Sequence, residues 1–397
     1  MKKILVLIFT LIFAFSASIV VFAENSENNE AEQYEKTPAD FSVECPSAFL
    51  MEAETGEVLF SQNQDDAASP ASVTKVMTLL LVAEAIADGR ISPDSVVSVS
   101  ANASAMGGSQ VFLKEGERFT VRDLLKCTVI ASANDAAVAL AECVSGSEEA
   151  FVRRMNERAK ELEMENTNFE NCTGLDDTTV NHVTSARDIA LMSRELIKHS
   201  IITDYSSLWQ DSIRDGEFVL TNTNRLVRFY DGCNGLKTGS TDKAGFCISV
   251  TAKRNGMRLI AVVMGAESRD SRNEIARELL DFGFANYAIF AEGENEVESI
   301  PVFRGAEDSV MTYSKPFAKV VNKSDMGAVT KKYVIPENLV APIGEGEVVG
   351  KITYSVNDKV LGETELYVKE GVEKIGFWGL FCQIINTAIT GNTKNEE

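Results

Sequence analysis

Residues 245–266, GFCISVTAKRNGMRLIAVVMGA, constrain the fold more than any other stretch of the chain. Two alternating apolar runs flank Asn255-Gly256, a dipeptide suited to the positive φ angles of a tight hairpin turn. A long hairpin is therefore expected here. Ahead of it, helical periodicity covers 70–88, 121–144, 147–163 and 184–198, and FVLTNTN, from 218, reads as a further strand. Still earlier, AFLMEAETGEVLFSQN predicts a two-strand hairpin with Thr55-Gly56 near its turn. A closing helix is expected over 271–290. Strands, a helical block, more strands and a helix predict an α/β (α+β) domain over 37–292, with a sheet flanked by helices.

The pattern changes over 295–370, where short runs such as AVTKKYVIP and VVGKITYSV are punctuated by Pro and Gly. They predict a separate small all-β domain. In the tail, 371–397, Phe377, Trp378, Phe381, Ile384, Ile385, Ala388 and Ile389 recur at helical spacing. This is the pattern of an amphipathic helix lying on a membrane surface, with docking on the β domain or a partner protein as the competing reading. At the other end, Lys2 and Lys3 precede an apolar run from Ile4 to Phe22, and Val21 and Ala23 suit a cleavage site. Residues 1–23 are expected to be an export signal, an uncleaved anchor being the alternative, and 24–36 a flexible leader. Either way the bulk of the chain lies outside the cytoplasm.

With 38 Lys+Arg against 59 Asp+Glu, the net charge of −21 argues against a nucleic-acid partner. Seven cysteines show no C-x-x-C spacing, so neither a metal framework nor an obligatory disulfide is expected, and Cys127 and Cys143 read as small buried thiols. Only His182 and His199 exist, neither with a G-x-S-x-G elbow. His182 is expected to be a structural residue at a helix start.

Chemistry enters at ASPASVTKVMTLLLVAEAI, 68–86. Ser69 is expected to cap the helix and Pro70 to open it. Ser72 and Lys75, three apart, then share one face. A serine hydroxyl is a weak nucleophile until a base removes its proton, and an amine one turn on can do so if burial lowers its pKa. Alone, Ser-x-x-Lys is weak, because about one or two arise by chance in a chain of this length. ASANDAA adds Ser132 and Asn134, polar groups in an apolar stretch that need partners, or else a kinked or capped helix. NGLKTGSTDKAGFC adds Lys237, Thr238 and Gly239 at the head of a strand. There Lys237 would bind a carboxylate and Gly239 would admit a ligand backbone, a bare turn being the alternative. Leu236 between Gly235 and Lys237 excludes a phosphate-binding P-loop.

In the order Ser-x-x-Lys, Ser-x-Asn, Lys-Thr-Gly, the three match the signature of penicillin-binding proteins and serine β-lactamases. With MGGSQVFLKEGE, TNTNRL and RLIAVVMG, the chain resembles the D-alanyl-D-alanine carboxypeptidases, low-molecular-weight penicillin-binding proteins, from about residue 38 to the C-terminal helix. The resemblance implies a β-lactamase/transpeptidase-like domain, a β-rich second domain and often an amphipathic anchor. It implies Ser72 as the nucleophile acylated by the penultimate D-alanine of a peptidoglycan stem pentapeptide, and Lys75 as general base. Ser132 would relay a proton, Asn134 would hold the substrate amide, and Lys237 and Thr238 would flank its carboxylate. The backbone N–H groups of Ser72 and Ser240 would form the oxyanion hole. Arg272 would assist carboxylate recognition, with Arg269 the fallback. β-Lactam antibiotics are expected to inhibit covalently, and no cofactor or metal is expected. A β-lactamase and an inactive peptidoglycan-binding protein are the competing functions. Asp176, where relatives often carry proline, and Ser240, at a variable position, depart from the pattern, and neither side chain touches the chemistry directly.

Overall fold

The computed structural model describes residues 33–34, 36, 41–379, 381–382 and 385. The export signal and most of the leader lie outside the described residues. The first domain is built on a five-stranded antiparallel sheet. Its strands are β1 (Ser47–Glu52), β2 (Val58–Gln62), β3 (Cys233–Thr241), β4 (Gly245–Arg254) and β5 (Met257–Ala266), in spatial order β2-β1-β5-β4-β3. The two expected hairpins are both present, and β1 pairs with β5 in register from Ser47↔Met264 to Glu52↔Leu259. The first and last strands of this sheet in chain order thus pair in its interior.

Both faces of that sheet are covered. In β5, Ile260, Val262 and Met264 face one core while Leu259, Ala261 and Val263 face the other. The first core is shared with the helical block: α1 (Lys75–Ala87), α2 (Val121–Ile130), α3 (Asn134–Ser145), α4 (Glu148–Glu161) and α5 (Ala186–Leu196). The second core is closed by α6 (Arg269–Asn286) through Ile275, Ala276, Leu279 and Leu280. Helix α1 is apolar nearly all round because it runs through the middle of the block, buried from Lys75 through Ala83.

Four local expectations are corrected. Ser69 does not cap α1: a 3₁₀ turn, Ala71–Thr74, precedes the helix with Pro70 at its N-cap, and Ser69 Oγ is buried without a hydrogen-bond partner. The helix expected over 121–144 is two, because Ser132 adopts left-handed backbone (φ 61°) between α2 and α3. The helix expected over 271–290 ends at Asn286, and Tyr287–Glu292 becomes a strand paired with Phe317–Asn322 of the β domain. The β domain's pairing also runs past 370: Val372 exchanges hydrogen bonds with Ile343, and Ile375 N donates to Arg304 O. The apolar alternation of the edges was readable, but which sheet they joined depended on partners distant in sequence.

The second domain's main sheet has six strands, in the order Val329–Val334, Val348–Val356, Lys359–Val368, Ser309–Ser314, Asn295–Phe303, Leu339–Val340. Phe317 stacks on Tyr354 in its core, with centroids 4.2 Å apart. Glu57, beside the β1–β2 turn, accepts from Val320 N at 2.9 Å and so joins the two domains. Among the described residues no helix is long and apolar enough to cross a membrane.

Candidate active site

The 3₁₀ turn presents Ser72, and Lys75 opens α1 directly after it. Lys75 Nζ donates to Ser72 Oγ at 2.9 Å and to Thr173 O at 2.8 Å. The amine is fully buried, which lowers its pKa to about 7 against the raising influence of Cys172 and Asp135. Near neutral pH, a substantial fraction of Lys75 is therefore an uncharged amine able to accept a proton.

The turn is packed from two sides by glycines. A Cβ on Gly239 would lie 2.7 Å from Ser72 N and 2.9 Å from Pro70 O. What a side chain at Gly239 would strike is thus the chain's own nucleophile turn, and the glycine also lines a cleft shared with Ser72. On the other side Gly174, at φ 84°, abuts Ala71 O, where a Cβ would come within 1.8 Å. Asn171 Oδ1 accepts from Thr173 N and Gly174 N and so shapes the loop whose carbonyl receives Lys75. His182 is structural, though it lies before α5 rather than at its start. Its Nδ1 accepts from Glu170 N, which leaves Nε2–H to donate to Thr74 Oγ1 at 2.8 Å. Burial lowers its pKa to about 4.

The second and third motifs meet across the cleft. Lys237 Nζ donates to Ser132 Oγ at 2.7 Å and to Thr238 O at 2.8 Å. Burial, then the nearby charges of Lys75 and Arg272, hold the Lys237 pKa well below the usual lysine range. Asn134 Nδ2 donates to Gly107 O at 2.7 Å, which orients the carboxamide, and its Oδ1 is buried without a protein partner. Such an acceptor costs about 1–3 kcal/mol until a donor arrives. Thr238 Oγ1 donates to Thr223 Oγ1, and Ser240 is exposed on β3.

Ser72, Ser132, Thr238, Gly239, Ser240, Arg269 and Arg272 line one cleft of about 450 Å³. A larger hollow of about 850 Å³ between residues 117–123 and 212–216 contains none of them. Both candidate arginines reach the cleft. Arg272 is buried and donates to Asn273 Oδ1 through Nε and Nη2, and burial lowers its pKa to about 10. Arg269 is exposed at the rim. Sequence reasoning missed Arg225, a third arginine lining the cleft, and Trp209, which lines it too. It also missed Asp135, whose buried carboxylate accepts from Val111 N and Leu113 N; its place directly after Asn134 in an apolar stretch was the available signal. Among the described residues no group of three or more His, Cys, Asp or Glu is placed to hold a metal ion.

The profile described as D-alanyl-D-alanine carboxypeptidase matches residues 32–268, and that described as penicillin-binding protein 5, C-terminal domain, matches 284–374. The chain belongs to the D-alanyl-D-alanine carboxypeptidase family. It is 41% identical over 354 residues to the D-alanyl-D-alanine carboxypeptidase DacF of Bacillus subtilis, covering 87% of this chain and 90% of that one. It is 34% identical over 376 residues to DacD of Escherichia coli, covering 90% and 94%. Penicillin-binding protein 5 of Haemophilus influenzae superposes with a TM-score of 0.74 at 31% identity, over 86% of this chain and 100% of that one. Penicillin-binding protein D2 of Listeria monocytogenes, solved in an ampicillin-bound form, superposes with a TM-score of 0.57 at 32% identity, over 62% and 99%. This carboxypeptidase is thus a serine hydrolase of the low-molecular-weight penicillin-binding class, which decides against a β-lactamase or an inactive binder.

Proposed function

We propose that Ser72 carries the acyl group and that Lys75 activates it. The observation that supports this most is the 2.9 Å bond between Ser72 Oγ and a fully buried amine with a pKa of about 7. Uncharged Lys75 takes the hydroxyl proton as Ser72 Oγ attacks the penultimate D-alanine carbonyl of a stem pentapeptide. The oxyanion is held by the N–H groups of Ser72 and Ser240. The terminal D-alanine leaves with the proton, returned by way of Ser132, and water then hydrolyses the ester. Asn134 accepts the substrate amide N–H on its unpaired Oδ1. Lys237, Thr238 and Arg272 surround the terminal carboxylate. A penicillin offers the same attacked carbonyl, so mass spectrometry after incubation should find its adduct on Ser72. Ser72→Ala should lose both the adduct and D-alanine release; persistent labelling would refute the assignment.

The enzyme's place is proposed to be the outer face of the cytoplasmic membrane, held there by the C-terminal helix. Phe377, Trp378, Phe381 and Ile385 are exposed, with Phe377 77% and Trp378 74% accessible. Ile384 and Ile389, from the same expected stripe, lie outside the described residues. Each buried side chain of this size contributes roughly 1.5–3 kcal/mol before ordering costs. Because residues 372–375 belong to the β domain's pairing, the informative truncation is after Gly376. It should abolish sedimentation with liposomes, at low and high salt alike, while leaving D-alanine release from soluble peptide intact.

A further inference from the structure

The hairpin Gln210–Ile213/Phe218–Thr221 contributes Trp209 and Thr221, at its base, to the lining of the cleft. Its tip passes through left-handed backbone at Arg214 (φ 53°) and Asp215 (φ 56°). The Arg214 guanidinium lies over the rings of Phe119 and Phe218, 5.3 and 5.7 Å from their centroids. Every nitrogen of the fork is used. Nη1 donates to Val111 O at 2.9 Å and Nη2 to Phe112 O at 3.1 Å. Nε and Nη2 engage the two oxygens of Glu117 at 3.0 and 3.1 Å.

The segment gripped in this way is the one that Asn134 and Asp135 grip from inside. Asp135 takes the amides of Val111 and Leu113, at 3.1 and 3.0 Å. Asn134 donates through its side chain to Gly107 O and through its backbone to Ser109 O, both at 2.7 Å. Within 107–113, Asp135 thus holds the amides of Val111 and Leu113 and Asn134 the carbonyls of Gly107 and Ser109, while Arg214 holds the carbonyls of Val111 and Phe112. The carboxamide of Asn134 has no other protein hydrogen bond among the described residues than the one to this segment.

We propose that Arg214 is a positioning residue for the reaction: by clipping the hairpin tip to the 107–113 segment, it fixes the carboxamide of Asn134 at the height where that group meets the substrate amide. The proposal rests on the amide-holding role given to Asn134 above. A lysine at 214 would keep the charge over the two rings but could not grip two carbonyls and a carboxylate at once. Small displacements of a positioned group are felt strongly in rate, up to about a hundredfold for 1 Å.

The test compares an N-acyl-D-alanyl-D-alanine peptide with an S-acyl thioglycolate, which has a scissile acyl bond and a terminal carboxylate but no amide. In the full-length enzyme, Arg214→Lys and Arg214→Gln should lower kcat/KM for the peptide roughly tenfold or more, with the thioester kept within about twofold. The peptide's pH profile, set by Lys75, should not move. Asn134→Ala should show the same selective loss, and Arg214→Lys combined with it should lose no more than Asn134→Ala alone. Equal losses on both substrates, or losses that multiply in the double variant, would overturn the positioning role. If Asn134→Ala alone lost nothing selective, the amide-holding role would fall first and the clip would have nothing to position.

Discussion

Lys237 and Ser132, 105 residues apart in sequence, are joined by a 2.7 Å hydrogen bond from Nζ to Oγ. The bond accounts for two otherwise costly features. Ser132 is a non-glycine residue in left-handed backbone, a conformation disfavoured by about 1–2 kcal/mol. Lys237 is an amine with almost no solvent contact. Each supplies the other's missing partner, and the break between α2 and α3 thereby becomes part of the site.

The buried amine of Lys75 makes acylation pH-dependent. Only the uncharged form accepts the serine proton, so the acylation rate should rise as pH increases through about 7 and level off above it. Lys75→Ala should leave substrate binding nearly intact while slowing acylation by roughly 10²–10⁴. Stopped-flow acylation measures both. A variant acylating within about threefold of the parent would make another group the base.

Gly239→Ala should harm the enzyme from a position that never touches substrate through a side chain. Its Cβ would press on backbone atoms of the nucleophile turn, Ser72 N and Pro70 O, which have no rotamer to change. Overpacking of this kind costs about 1–3 kcal/mol, so thermal melts should shift down by several degrees and penicillin labelling should slow together. An unchanged labelling rate would mean that the turn can yield without disturbing Ser72.

His182 should make the fold acid-sensitive. Burial holds its folded-state pKa at about 4, against about 6.5 when unfolded. Between those values the unfolded chain binds a proton that the native one does not, so the stability it contributes is full above pH 6.5 and is lost as pH falls toward 4. Urea melts at pH 7 and pH 4.5 should show a drop that His182→Gln reduces by about 2 kcal/mol. An equal drop in both proteins would assign the sensitivity to carboxylates elsewhere.

Arg272 and Arg269 should separate by their burial. Arg272→Leu should lower kcat/KM for a free-acid pentapeptide more than for its C-terminal amide, because a desolvated guanidinium binds a carboxylate more strongly than an exposed one. Arg269→Leu, at the exposed rim, should show a smaller and salt-sensitive version of the same difference. Equal losses on acid and amide would make Arg272 purely structural.

Local patterning determined much of this by itself. The Asn255-Gly256 turn, the apolar length of α1 and the short alternating runs after 295 each report a conformation set by neighbours in sequence, so hairpins, helices and the all-β second domain were legible. The order Ser72-x-x-Lys75, Ser132-x-Asn134, Lys237-Thr238-Gly239 likewise named groups that the fold brings together: Ser72, Ser132, Thr238 and Gly239 line one cleft, and Lys75 and Lys237 bond to its two serines. Other features needed the folded chain. Whether Lys75 is charged depends on burial by segments nearly a hundred residues away, and Gly239 is needed because the Ser72 turn packs against it. No sequence pattern marks Arg214; its role follows from the fold, which lays the 107–113 backbone against it. These properties arise from desolvation and close approach between distant segments, and neither exists before the chain has folded.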